Sequence, residues 1–202
     1  MSTNSKSKVA REAATLLYFG AEKEYKQAKT KAAQTLGTHF LPSNLEVALE
    51  LDKIAEENEG ETRKARLVEM RWEALKVMRL LDAYCPVLIG SVWRGNIRRG
   101  SDIDIAAYAD DPQEIINILK GEGMKLLKSA WTTVNKRGRT LASLHVHAET
   151  PSKHGLEIVI RASEEKAEKR KCEIFGDEMK GLRTKNLERL LKENPTQRFI
   201  PA

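Results

Sequence analysis

The sequence predicts an α+β fold, a mixed sheet with helices on one face, preceded by an N-terminal helical module. Three observations predict it. Apolar residues recur at helical spacing from about residue 8 to 83, short apolar runs alternating with helix signals replace them from Cys85 onward, and three of those runs show an apolar face and a polar face.

The first helix is expected over residues 9 to about 36, with Leu16, Leu17, Tyr25 and Ala32 among its apolar positions and Gly37 as its stop. Leu41-Pro42-Ser43-Asn44 then breaks the chain. Ser43 followed by Glu46 forms a capping box that opens a second helix carrying Leu45, Val47, Leu49, Leu51 and Ile54, which Gly60 should end. A third helix, from 61 to about 83, sets Leu67, Met70, Leu75, Met78 and Leu81 along one stripe, so these helices should pack on each other or on the C-terminal part of the chain.

Residues 86–89 and 102–108 read as strands, and Asp111-Pro112 caps a helix reaching about Lys120. Further strands are expected near 124–134, 140–149 and 156–161, with a basic turn Lys136-Arg137-Gly138-Arg139 between the first two and a loop containing Pro151 and Gly155 before the last. Charged helices over 164 to about 174 and 185–192 complete the reading.

Composition bounds the function. The 202 residues, 41% hydrophobic and 32% charged, can bury a core without disulfide or metal staples. No apolar run approaches bilayer length and no secretory apolar segment follows the first eight residues, so a cytoplasmic protein without a membrane partner is expected. Cys85 and Cys172 stand far apart with no metal-ligand spacing, as expected of reduced, partly buried thiols. A net charge of +6 admits polyanionic partners, from nucleotide phosphates to RNA, although the basic residues are largely interleaved with acidic ones.

The stretch LIGSVWRGNIRRGSDIDI, residues 88–105, carries the chemistry. Side chains alternate across a strand, so Asp102 and Asp104 share one face and Ile103 and Ile105 take the other. Glu157, Val159 and Arg161 lie opposite Leu156, Ile158 and Ile160, and Ser143, His145, His147 and Glu149 lie opposite Ala142, Leu144, Val146 and Ala148. If the three strands share a sheet, helices cover the apolar side, and Asp102, Asp104 and Glu157 converge on the open one. Carboxylates gathered this way repel unless cations neutralise them. Mg²⁺ (or Mn²⁺) suits them, since it takes one or two carboxylates together with water and substrate phosphates. Gly90-Ser91, between a strand and a helical turn, offers backbone N–H groups and a hydroxyl to those phosphates, while Arg94, Arg98, Arg99 and Ser101 come after it, the arginines placed to offset a triphosphate's charge. Alone, a Gly-Ser step or an Asp-x-Asp pair means little; the ordered combination on two strands is the signal. His145 and His147 read as polar surface, and His154 as a loop residue.

These residues, in LIGSVWRGNIRRGSDIDIAAY, resemble the signature of the DNA polymerase beta nucleotidyltransferase superfamily, in its minimal form, over residues of about 86 to 162. The resemblance implies the nucleotidyltransferase fold, with a catalytic domain at 85–162 between a helical module at 1–84 and charged helices at 163–202. It implies that Gly90 and Ser91 hold the terminal phosphates of ATP or another nucleoside triphosphate, that Asp102 and Asp104 bind two Mg²⁺ ions, and that Glu157 matches a third carboxylate, often Asp in relatives. Arg94, Arg98, Arg99 and Ser101 would complete the nucleotide site. The implied reaction moves a nucleoside monophosphate to a hydroxyl on a protein, an RNA end or a small molecule, with release of pyrophosphate. The alternative is a catalytically lapsed nucleotide- or RNA-binding regulatory protein of the same fold. The long amphipathic helices would pack on the catalytic domain or on a second copy in a homodimer.

Overall fold

The computed structural model describes residues 2–136 and 139–201. Three helices come first, α1 (Ser2–Tyr18), α2 (Tyr25–Thr35) and α3 (Asn44–Leu80). The single helix expected over 9–36 is therefore two. The chain turns at residues 19–24, where the Glu22 N–H reaches back to Leu16 O at 3.2 Å. This turn lets Ala28, Ala32 and Ala33 join Val9, Ala13 and Leu17 in one buried cluster, which a straight rod would leave in water.

The Ser43 capping box forms as expected, with Glu46 N–H donating to Ser43 Oγ at 3.1 Å and Ser43 N–H donating to Glu46 Oε2 at 2.6 Å. Gly60 interrupts α3 with φ 50° and ψ −132°, backbone that a side chain disfavours, so the two expected helices meet there at a kink. The kink divides the packing. Val47 and Ile54 belong to the α1–α2 cluster, whereas Leu67, Met70, Leu75, Met78 and Leu81 enter the core beneath the sheet. Burying each of these five is worth roughly 1.5–3 kcal/mol, so the second half of α3 is held by the sheet and not by its own propensity.

The sheet has six strands in the order β3-β4-β5-β2-β1-β6. These are β1 (Val87–Ile89), β2 (Ile103–Tyr108), β3 (Lys125–Lys136), β4 (Arg139–Glu149), β5 (Gly155–Arg161) and β6 (Leu182–Arg183). It is mixed, because β2 and β5 run parallel while the other neighbours are antiparallel. Between them lie α4 (Gly90–Arg94) and α5 (Pro112–Gly121), and α6 (Thr184–Glu193) follows β6. The Asp111 side chain caps α5 through Gln113 N–H at 2.9 Å, as its position before Pro112 predicts. Ile103, Ile105, Leu156, Ile158, Leu144 and Val146 are buried on the helix-covered face together with α3, α5 and α6. The fold is thus the α+β arrangement expected, a mixed sheet with helices on one face.

Two expectations need correction besides the first helix. Residues 164–174 hold only a 3-10 turn at Ser163–Ala167, after which the chain is irregular apart from a bridge between Lys171 and Glu178. Tertiary contacts override helical propensity there: Arg170 pairs with the buried Glu165, and Asp177 is drawn to Arg94. Cys85 is exposed, not partly buried, while Cys172 is half-buried, and both are free. Of the basic turn, Arg137 and Gly138 lie outside the described residues. No described helix is long and apolar enough to cross a membrane.

Arg71 joins these parts. It is fully buried, and its guanidinium donates to four carbonyls: Val92 O (3.1 Å), Trp93 O (2.9 Å), Pro195 O (2.6 Å) and Gln197 O (2.9 Å). Burial pulls its pKa down to about 10, so it stays charged at neutral pH. Replacing it leaves buried acceptors unpaired. Arg71→Met is expected to cost at least about 3 kcal/mol in urea unfolding and to expose the segment 195–199 to limited proteolysis.

Candidate active site

Strand register brings the acids together. In the parallel pair Asp104 stands opposite Glu157, and Asp102, two residues earlier on the approach to β2, shares their face. Asp102 is exposed and Asp104 half-buried. Burial, then Glu157, then Asp102 push the Asp104 carboxyl up to about 8. Burial and Glu157 also raise Asp102, against the opposing pull of His147, Arg98 and Lys128.

Two glycines make room for these carboxylates. A methyl group on Gly90, whose φ is 69°, would overlap the Asp104 carboxylate, and one on Gly155 would overlap that of Asp102. The Gly-Ser step therefore touches the acidic pair directly. Gly155, expected only as a loop residue, shapes the site by its lack of a side chain; that role depends on a cross-strand approach which local sequence does not display.

The segment after Gly90 forms one wall of a cavity of about 180 Å³. Gly90, Ser91, Arg94, Arg98 and Ser101 line it, together with Tyr25 from α2, Leu51 and Asp52 from α3, and Cys172 and Phe175 from the irregular C-terminal segment. Arg98 faces both Asp102, whose pKa it lowers, and Tyr25. Its N–H is held by Ser101 Oγ at 2.9 Å, fixing the turn into β2. Arg99 does not line the cavity; its side chain is exposed, and its N–H donates to Glu59 Oε1 at 2.8 Å.

Arg94 is occupied by the protein itself. Its buried guanidinium forks onto Asp177 at 2.6 and 3.2 Å, donates to Phe199 O at 3.0 Å and lies 4.5 and 4.4 Å from the ring centres of Trp93 and Phe175. It clamps the C-terminal segment onto α4. The wall is also braced from α3, where Arg63 Nε donates to Ile97 O at 2.6 Å while Asp52 and Glu56 hold the same guanidinium.

His145 and His147 belong to the acidic face. His145 Nδ1 lies 2.6 Å from Glu157 Oε1 and His147 Nε2 lies 3.8 Å from the same oxygen. Alternation alone places them on the polar face of their strand, but nothing local reveals that β4 is the strand beside β5.

Among the described residues no group of three His, Cys, Asp or Glu side chains closes into a metal cage. The acids nevertheless fit a hard divalent ion at an open site. Asp104 and Glu157 sit side by side, burial and the charges of Glu157 and Asp102 raise the pKa of Asp104, and Mg²⁺ needs only one or two carboxylates when water and phosphate supply its other oxygens.

No family model and no curated protein matches the chain. Among solved structures it is similar to a cytoplasmic RNA terminal U-transferase, at 18% identity and a TM-score of 0.30, over 58% of this chain and 34% of that one. It is also similar to a GLD-2/RNP-8 complex, at 11% identity and a TM-score of 0.33, over 60% of this chain and 38% of that one. A third likeness is to the Cid1 poly(U) polymerase, at 17% identity and a TM-score of 0.30, over 55% and 38%. The chain thus spans between a third and two-fifths of the length of these proteins, and likeness this slight leaves the chemistry to the geometry.

A carboxyl raised in the folded state favours folding when protonated, so its contribution is lost as pH rises. In chelator, stability should fall between the ordinary Asp value of 3.8 and about 8. Asp104→Asn should flatten that fall and raise Tm at pH 8, as followed by circular dichroism; an unchanged slope would refute the assignment. Gly90→Ala is expected to cost about 1–3 kcal/mol in urea unfolding, because it adds overlap with Asp104 and strain at positive φ.

Proposed function

We propose that the protein is a metal-dependent nucleotidyltransferase that moves a nucleoside monophosphate from a nucleoside triphosphate to a hydroxyl acceptor and releases pyrophosphate. The observation that carries this reading is the close approach of the Gly90 backbone to the Asp104 carboxylate, beside Glu157. The Gly-Ser step alone would suit any anion, and acids alone any cation. Side by side they suit a triphosphate together with its counter-ions.

In this reading the Ser91 hydroxyl and the backbone at Gly90 and Ser91 orient the terminal phosphates, and Arg98 offsets their charge at the rim toward Asp102. Arg94 acts at one remove by fixing the cavity wall, and Arg99 and Ser101 shape the turn into β2. Nucleoside and ribose lie in the cavity toward Tyr25 and Phe175. Asp102, Asp104 and Glu157 would hold Mg²⁺ or Mn²⁺, whose chemistry when bound is to acidify the attacking hydroxyl and to stabilise the leaving oxygens. The acceptor oxygen forms a bond to the α-phosphorus, the bond from that phosphorus to the bridging oxygen breaks, and pyrophosphate leaves. In this reading Glu157 takes the hydroxyl proton. Because the N-terminal helices and the C-terminal segment wall the cavity, they complete a single working unit with the sheet.

The test is incubation with labelled triphosphates, Mg²⁺ or Mn²⁺, and candidate acceptors, protein and RNA together. Label should move to a macromolecule or small acceptor, and Asp104→Asn should cut the rate by roughly a hundredfold or more, the scale expected when charge stabilisation of a transition state is removed. Metal-dependent nucleotide binding with no transfer to any acceptor would favour the regulatory alternative instead.

A further inference from the structure

The acidic face carries a hydrogen-bonded chain to Glu157 whose other members, Ser143 and His145, have no part in the proposed reaction. Ser143, His145 and Glu157 lie on adjacent strands, with Ser143 Oγ 3.1 Å from His145 Nε2 and His145 Nδ1 2.6 Å from Glu157 Oε1. An ionised carboxylate can only accept, so in that pair Nδ1 carries the hydrogen given to Glu157, while Nε2 pairs with the Ser143 hydroxyl, which can donate to it or accept from it.

Register makes this pairing specific. His147, not His145, is the residue directly opposite Glu157, yet its Nε2 stays at 3.8 Å, beyond hydrogen-bond range. His145, opposite Val159, reaches diagonally along the strand to make the bond. Both imidazoles address Oε1, which leaves Oε2 as the oxygen free to serve the acidic pair. A glutamate has one more rotatable bond than an aspartate, so at this position something must hold its carboxylate in place.

We infer that His145 is a positioning residue for Glu157: its Nδ1–H, on a ring braced at Nε2 by Ser143, pins Oε1 and directs the other carboxylate oxygen toward the ion shared with Asp104. This inference rests on the metal-dependent reading above and adds the residue that orients the third carboxylate. A partner that orients a ligand in this way typically contributes 10- to 100-fold to metal affinity or turnover.

The test uses the full chain with three variants, His145→Ala, His145→Asn and Ser143→Ala, each checked for an unchanged circular dichroism spectrum and Tm. Mn²⁺ affinity is measured by electron paramagnetic resonance without nucleotide, and transfer kinetics are measured separately. His145→Ala should weaken Mn²⁺ binding by roughly 10- to 100-fold and lower kcat with little change in the KM for triphosphate. His145→Asn, whose amide N–H can occupy the place of Nδ1–H, should recover most of both, and Ser143→Ala should fall between. Unchanged Mn²⁺ affinity in a folded His145→Ala, or equal impairment in the Ala and Asn variants, overturns the inference. The two readings fail differently: a wild type that transfers nothing but binds Mn²⁺ in a His145-dependent way sinks the reaction and keeps the positioning, whereas a fully active His145→Ala does the reverse.

Discussion

The parallel pairing of β2 with β5 is the constraint on which the remaining structure depends. It sets Asp104 opposite Glu157, two carboxylates that repel each other on a partly buried face. A slip of β2 by one residue would turn Asp104 into the core and bring Ile103 and Ile105 out to water, a loss of several kcal/mol. Apolar burial on one side of the sheet therefore enforces electrostatic strain on the other. That strain is eased locally by the upward shift of the Asp104 carboxyl, which favours its neutral form, by a histidine on Glu157 and by the opposing charge of Arg98 at Asp102.

Around this face the wall is fixed by arginines that meet carbonyls. Arg71 is buried with four carbonyl partners, two of them, Val92 O and Trp93 O, at the end of α4, where a helix presents its negative pole. Arg63 and Glu59 grip the turn at residues 97–99 from either side of the bend in α3. The bend at Gly60 matters for this reason: it lets one helix pack on α1 and α2 with its first half and on the sheet with its second while presenting polar side chains to the turn between them. Helices that composition alone can only describe as amphipathic are the mould of the cavity.

Whatever alternation and local capping encode is legible in the sequence. The strands, the Ser43 box, the Asp111 cap and the common face of Asp102 and Asp104 depend on spacings of a few residues, and they are visible in the chain as written. Features that depend on long-range partners are not. Arg94 reads as a phosphate ligand because Asp177, its partner, lies 83 residues away. The stretch 164–174 reads as helical because its charges suit a helix, but Glu165 and Arg170 are committed to each other in a different backbone path. His145 reads as surface because its value depends on which strand lies beside β4. Gly155 gives no signal, since its function is an absent methyl group.

The reach of Arg71 to Pro195 and Gln197 spans 124 and 126 residues of sequence. During synthesis the α1–α2 hairpin and the start of α3 can compact from nearby contacts alone, but the cation in the middle of α3 has no carbonyls from that distant segment until it has left the ribosome. The sheet-bound half of α3 therefore gains these ties only after Pro195 and Gln197 have emerged, later than Phe175 and Cys172 can join the cavity wall. Such long sequence separation makes bracing of the cavity a late event in the life of each chain.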